Sequence, residues 1–408
     1  MNLRTHADKI IRDVLHAALP DTAVAAALQN ASLTGNLYLV AAGKAAWQMA
    51  KAAAEILTFK KGIVITKYNH CKDEIPGITL CEAGHPIPDE NSFASTKLAL
   101  DMVSGLTADD TVVFLLSGGG SALFEQPLVP GDELADITAQ LLASGADIVE
   151  MNTIRKRLSA VKGGRFAQHC APARVFSVVL SDIVGDPLDM IASGPACPDQ
   201  STCEEAVAIA EKYGLKLSPQ AWELLRQETP KTLDNVETHI TGSVRQLCAA
   251  GERAAAELGY EPFTLTASLT CTARDAGSFL ASVAQFHHGS KKPLAFFAGG
   301  ETVVKLTGSG LGGRNQELAL AAAEGISGLT GTAVFSVGSD GTDGPTDAAG
   351  GFVDSTTKQT LAQNGISIPA VLQNNDAYHA LQKVDGLIMT GPTGTNVNDL
   401  ACLLIWPE

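Results

Sequence analysis

The chain has 408 residues, a length for two or three domains that bury about 70 to 75% of the surface exposed by the unfolded form, and this excludes a disulfide-stapled miniprotein. With 45% hydrophobic, 18% charged and only 5% aromatic residues, and with 39 glycines, it has the composition of an ordered globular protein packed largely by small side chains. Twenty-nine Lys and Arg against 44 Asp and Glu give a net charge of −15, which argues against nucleic-acid and anionic-membrane binding as general classes and leaves anionic small substrates open.

The first segment, MNLRTHADKIIRDVLHAALPD, carries charges through its apolar pattern and is expected to form an amphipathic helix, since a signal peptide needs an unbroken apolar stretch. LYLVAA from Leu37, GIVIT from Gly62, TVVFLL from Thr111 and RVFSVVL from Arg174 read as buried parallel strands separated by Ala- and Leu-rich helical stretches. From Tyr213 to Gly242 the rhythm breaks, with Pro219, Pro230 and the polar run ETPKTLDNVETHITG, so a junction or insertion is expected there and the domains are placed at 1–235 and 236–408. A second apolar series follows: FTL near Phe263, PLAFFAGG from Pro293, ETVVKLTG from Glu301, AVFSVGSD from Ala333, GLIMTGP from Gly386 and ACLLIW from Ala401. Only Gly299, Gly300 and Glu301 separate LAFFA from TVVKL, which predicts a hairpin at that point and a mixed second sheet. No run approaches the roughly 20 apolar residues of a membrane span. The eight cysteines form no CxxC pair, which points to reduced thiols in a cytoplasm.

Several strands end in Gly-rich loops that lead into helices, the place where open α/β sheets collect anionic ligands. In LVAAGKAAWQMA, Lys44 follows Gly43 directly after a strand; it lacks the flanking residues of a Walker A loop and is either a phosphate contact or a solvated lysine. In FLLSGGGSALFEQP, the run Ser117, Gly118, Gly119, Gly120 and Ser121 supplies the conformational freedom for a nest of N–H groups around a phosphate oxygen, with an ordinary tight turn as the plain alternative. The segment MNTIRKRLSAVKGGR holds Arg155, Lys156, Arg157, Lys162 and Arg165 and no acid, and reads as a solvated helix face or as a source of positive field for an anion. In SDIVGDPLDM, Asp182, Asp186 and Asp189 suit magnesium, a general base or helix caps.

GGETVVKLTGSGLGGRNQELAL contains Gly308, Gly310 and Gly313, a literal G-x-G-x-x-G. A dinucleotide fingerprint also needs an acid about 20 residues on, whereas Asp340 lies 27 residues beyond Gly313. SDGTDGPTDAAGG sets Asp340, Asp343 and Asp347 in a loop fit for a cation or for Asx turns. GPTGTNVNDL offers Thr393, Thr395, Asn396 and Asn398 as neutral hydrogen-bonding groups.

Taken together, AAGKAAWQMA, GHPIPDENS, SGGGSAL, MNTIRKRLSAVKGGR, LSDIVGDPLDMIASGP, GGETVVKLTGSGLGGRNQELAL, SDGTDGPTDAAGG and GPTGTNVNDL resemble the class II glycerate kinases, whose C-terminal part is the MOFRL domain. The blocks run from about Ala41 to Leu400, nearly the whole chain. The resemblance implies an α/β protein with an N-terminal Rossmann-like domain and a C-terminal α/β domain with a mixed sheet, the active site lying in an interdomain cleft. It implies ATP- and Mg2+-dependent phosphorylation of D-glycerate to 2-phosphoglycerate. Some members carry the label hydroxypyruvate reductase, so an NAD(P)H-dependent reductase is the alternative. Within the family's pattern Lys44, Arg314 and Asp182 are the expected catalytic residues, and Ser117 to Ser121 the nucleotide-phosphate cradle. Arg157 and Asn315 are the expected substrate contacts, and Asp182, Asp186 and Asp340 the expected metal ligands. ATP and D-glycerate are the expected partners, nucleic acid and membrane are not, and a homo-oligomer is left open.

Overall fold

Strands buried on both faces read as unbroken apolar runs, and the first series builds such a sheet. In the computed structural model, which describes residues 2–29 and 31–407, this sheet consists of β1 (Asn36–Ala42), β2 (Lys61–Lys67), β3 (Ile78–Ala83), β4 (Asp110–Leu116), β5 (Arg174–Leu180) and β6 (Val236–Thr241). Every pairing is parallel and the order is β3-β2-β1-β4-β5-β6. This is the doubly wound order, and its direction of growth reverses between β1 and β4. Beneath these strands Phe114, Phe124 and Phe166 meet with ring centroids 4.7 to 5.5 Å apart.

The second series forms β7 (Glu261–Leu269), β8 (Leu294–Gly300), β9 (Thr332–Gly338), β10 (Gly350–Asp354), β11 (Leu387–Ile388) and β12 (Asp399–Ile405), in the order β11-β10-β9-β12-β8-β7. β7 and β8 are parallel and the remaining neighbours antiparallel, so the sheet is mixed as expected. The expected hairpin after Gly300 is absent. Both edges of β8 are already occupied, by β7 and β12, so TVVKL has no edge to join; it leaves the sheet and keeps a single bridge from Val303 to Thr272.

Two compact units result: Pro20–Ser181 with Asp186–Thr241, here the N-terminal unit, and Met1–Leu19 with Asp182–Gly185 and Gly242–Glu408, the C-terminal unit. They differ from a division at 235/236 in three respects, the first being that Asp182–Gly185 goes with the C-terminal unit. VETHIT pairs along β5 as β6, so the first sheet closes only at Thr241. The amphipathic helix Leu3–Ala17 packs within the C-terminal unit, burying Ile10, Ile11 and Val14 and joining Lys9 to Glu257 at 2.8 Å. All eight cysteines are free thiols, and among the described residues no helix is long and apolar enough to cross a membrane.

Candidate functional site

At the point where strand order reverses, the loops after β1 and β4 lie side by side, because Ala42 and Leu116 are register partners. Gly43 has φ +124°, and a Cβ there would sit 2.2 Å from Ser117 Oγ, so only glycine allows the two loops to approach. The Lys44 N–H donates to Gly118 O at 2.9 Å and the Ala45 N–H to Ser117 Oγ at 3.1 Å. Ser117 is thus a buried strut between the loops, while the Lys44 side chain is exposed. Gly119 has φ +87°. A Cβ on it would meet the His85 ring at Cδ2 (3.0 Å) and Nε2 (3.1 Å) and Lys44 Cγ at 3.2 Å. The N–H groups of Gly118, Gly119 and Ser121 find no acceptor among the described residues. A concave nest flanked by a lysine and an imidazole is the outcome, a shape suited to a phosphate.

His85 was not singled out by the sequence, although it lies in GHPIPDENS. That block serves two ends. Asp89 and Ser92 form the capping box of helix Glu90–Val103, which leaves His85 half-buried against the glycine loop. Burial, followed by the positive charges of Lys44, Lys67 and His70, lowers the His85 pKa and favours the neutral ring.

The basic segment is neither a solvated face nor a free source of positive field. Lys156, Arg157 and Lys162 are buried and paired within the N-terminal unit. Arg157, an expected substrate contact, is fully buried and donates to Thr153 O, to Ser201 Oγ and O, and to Glu228, with Asp199 at 3.8 Å. It is a structural cation, not a carboxylate clamp. Lys156 bonds Asp199 at 3.0 Å, and Lys162 bonds Glu125 at 2.6 Å. Lys162 and Arg155 also donate to the carbonyl of Ser121, at 2.9 and 3.2 Å, and so brace the last residue of the glycine loop.

The C-terminal unit contains a cavity of about 1240 Å³ lined by Asp182, Glu301, Arg314, Glu317, Asp340 and Asp343 on its charged side. Arg314 opens helix Arg314–Ile326. Its guanidinium grips Asp399 with Nε (2.5 Å) and Nη2 (3.1 Å) and Glu301 with Nη1 (2.8 Å). Burial alone would lower the arginine's pKa, but the bond to Asp399 and the charges of Asp399 and Glu301 raise it. With several carboxylates against one arginine, the cavity favours a cation or a metal-bearing anion over a bare anion. The donors are all oxygen, which suits a hard divalent ion such as Mg2+.

Asp343 caps the same helix from the loop after β9, accepting the N–H of Asn315 at 3.1 Å and of Gln316 at 2.9 Å. Gly313 permits this, because a Cβ there would sit 2.2 Å from Asp343 Cγ. Asn315, an expected substrate contact, is buried between Asp343 and the Ser336 hydroxyl and serves the scaffold instead. Burial pushes Asp343 up to about 6, against the pull of its two backbone donors. The fold therefore holds a proton on this carboxyl that the unfolded chain, at about 3.9, releases. Its contribution to stability is complete below about pH 4 and is lost as pH rises through 6. Denaturant unfolding of the protein and of Asp343→Asn should accordingly differ by an amount that changes between pH 4 and 6 and levels off above it.

Of the remaining residues, Asp340 lines the cavity, accepts the Thr342 N–H at 2.9 Å and is an available oxygen donor. Asp182 lines the same cavity, whereas Asp186 belongs to the N-terminal unit and does not line it. Thr393 and Thr395 spend their hydroxyls on Ser339 O and Ala18 O, and Asn398 reaches Glu301 at 3.2 Å. The G-x-G-x-x-G is used up by its own chain. Cβ atoms at Gly308 and Gly310 would collide with Asn374 and Asp376, and the N–H groups of Thr307, Gly308, Gly310 and Leu311 are bonded to Asn374, Asn375 and Asp376. No N–H of that set remains for a pyrophosphate. Among the described residues, one group of three potential ligands converges within 4.8 Å: Cys203, Glu204 and Glu228. Glu228 is already bonded to Arg157 and Lys231, so that group is a surface ion-pair network.

A doubly wound unit with a phosphate-shaped nest at its switch point, joined in one chain to a mixed-sheet unit with an oxygen-lined acidic cavity, belongs to the class of two-domain α/β phosphate-handling enzymes. The family described as "Domain of unknown function (DUF4147)" matches residues 6–226, and the MOFRL family matches 294–399. The D-glycerate 2-kinase of Thermotoga maritima is 50% identical over 99% of both chains, and a putative hydroxypyruvate reductase of Agrobacterium vitis is 38% identical over 94% of this chain and 92% of its own. A crystal structure of glycerate kinase from Thermotoga maritima superposes with a TM-score of 0.94, covering 99% of each chain at 50% identity. The chain belongs to this glycerate kinase family.

Proposed function

We propose that the protein is a D-glycerate 2-kinase, using ATP and Mg2+ to form 2-phosphoglycerate. The observation that carries the reading is the nest at Gly118 to Ser121, with Lys44 beside it, at the switch point of a doubly wound sheet. End-to-end kinship with a D-glycerate 2-kinase supports the acceptor. In the reaction the bond from the γ-phosphorus to the β,γ-bridging oxygen breaks and leaves ADP, a bond from the γ-phosphorus to the glycerate O2 forms, and the hydroxyl proton passes to water. Such transfer needs positioning and charge neutralisation more than covalent help. The loop N–H groups and Lys44 hold the nucleotide phosphates. Arg314, fixed by Asp399 and Glu301, directs its remaining N–H groups at an anionic oxygen. Asp182 and Asp340 supply carboxylate oxygens for Mg2+, and Asp182 also stands to orient the attacking hydroxyl. When bound, the ion offsets phosphate charge. The free thiols support a cytoplasmic setting.

The reductase alternative has little support, because, of the glycines that would cradle a pyrophosphate, Gly308 and Gly310 are packed against Asn374 and Asp376, and Gly313 against Asp343. Two assays run side by side test the choice: ATP, Mg2+ and D-glycerate in one, NADH and hydroxypyruvate in the other. ADP release with a 2-phosphoglycerate signal in phosphorus NMR is expected in the first and no oxidation in the second. NADH consumption without ADP formation overturns the proposal.

A further inference from the structure

His85 has no role in the reaction as set out above, yet its position is unusual for a structural histidine. A core histidine normally has a hydrogen bond that fixes its tautomer, whereas neither ring nitrogen of His85 is bonded among the described residues. Its Nε2 and the Lys44 stem both pack onto the α-carbon of Gly119, so closely that a methyl group there would crowd them at 3.1 and 3.2 Å. The unbonded N–H groups of Gly118 and Gly119 belong to the same turn. The half-buried ring feels the positive charges of Lys44, Lys67 and His70. The nearby acids are committed elsewhere: Asp89 to Tyr68 and to its helix cap, and Glu82 to the N–H groups of His70 and Cys71.

From this geometry we infer that His85 is a phosphate-binding residue of the switch-point crevice, its ring N–H donating to an oxygen of the nucleotide's polyphosphate next to the Lys44 ammonium. Burial first, and then the neighbouring cations, disfavour the charged ring while the crevice is empty, and a phosphate dianion opposes both. Binding is then coupled to uptake of a proton on His85, and the bond becomes charge-assisted as pH falls. Gly119 is glycine because its φ of +87° and the close approach of the imidazole and the Lys44 stem leave no room for a side chain, and this is what brings the ring up against the loop. The inference rests on the kinase reading for the identity of the nucleotide, but the chemistry recognised is that of a polyphosphate.

The test uses the full-length protein and inorganic tripolyphosphate as probe, followed by calorimetry at pH 6 and pH 8 in buffers of different ionisation enthalpy. The wild type should bind more tightly at pH 6 and take up a proton. His85→Ala should weaken binding about tenfold or more at pH 6, by loss of a hydrogen bond to a charged group, and should abolish the pH dependence. His85→Gln, a neutral donor, should recover part of the affinity without the proton uptake. In turnover the loss should fall on KM for ATP with KM for D-glycerate unchanged. Should the alanine variant not fold, NMR titration of the wild-type His85 ring decides: its pKa must rise when tripolyphosphate is added. An unmoved ring pKa, or unchanged affinity and pH dependence in a folded His85→Ala, overturns the inference. Absence of glycerate phosphorylation alongside His85-dependent tripolyphosphate binding overturns the proposed acceptor and leaves the inference standing.

Discussion

Lys44→Ala and Arg314→Ala are each expected to lower turnover by about 100-fold or more, the scale of removing one preorganised charge from a transition state. The two should differ in what else they do. The Lys44 side chain is exposed, and among the described residues its hydrogen bonds run through its backbone, so alanine removes charge and leaves the loops laced together. Thermal unfolding of Lys44→Ala should match the wild type. Arg314 is also the partner of a carboxylate, Asp399, that is only 7% exposed and whose pKa burial already raises. Without the guanidinium that carboxyl is left buried beside Glu301, and it will bind a proton at neutral pH more readily than now. Arg314→Ala should therefore lose stability as well as activity. Arg314→Lys should remain impaired, because an ammonium cannot span Asp399 bidentately and Glu301 together. Steady-state kinetics with circular dichroism melts separate these outcomes. Near-normal ADP release from either alanine variant would remove that residue from the mechanism.

How much of this was legible in the sequence depends on where each signal resides. β1, β4 and β5 are buried along most of their length, so their apolar runs identify them without context. β6 is half-exposed and polar, VETHIT, and looks like a linker until β5 is there to pair with it. β10 begins with Gly350 and Gly351, poor strand formers, chosen because a Cβ at Gly350 would sit 1.9 Å from Ser336 O. The charged residues show the same division. Arg157, Lys156 and Lys162 are plainly basic in the sequence, but whether a cation is solvated or buried is decided by its partners, Asp199, Glu228 and Glu125, and no periodicity connects them. The glycine loop was legible as a nest because its three glycines are consecutive. His85 was not, because it meets that nest only through the fold.

Glu125→Ala is expected to destabilise the N-terminal unit by about 3 to 5 kcal/mol, the usual cost of removing one member of a buried ion pair. Both side chains are fully buried and 2.6 Å apart. Burial already brings Lys162 down to about 8 in spite of Glu125, and without that carboxylate the ammonium has no anion nearby and will lose its proton near neutrality. The effect reaches the nest, because the same ammonium donates to Ser121 O and Phe124 O. Replacing both members, as Glu125→Leu with Lys162→Met, removes the desolvation cost together with the attraction, and stability should return most of the way. Nucleotide affinity should not return with it, since the Ser121 carbonyl still lacks the nearer of its two side-chain donors and keeps only Arg155. Chemical denaturation and nucleotide titration of Glu125→Leu, of Lys162→Met and of the double variant form a complete cycle. If affinity recovers along with stability in the double variant, Lys162 supports the fold alone and the orientation of the nest is set by Arg155 and the glycines themselves.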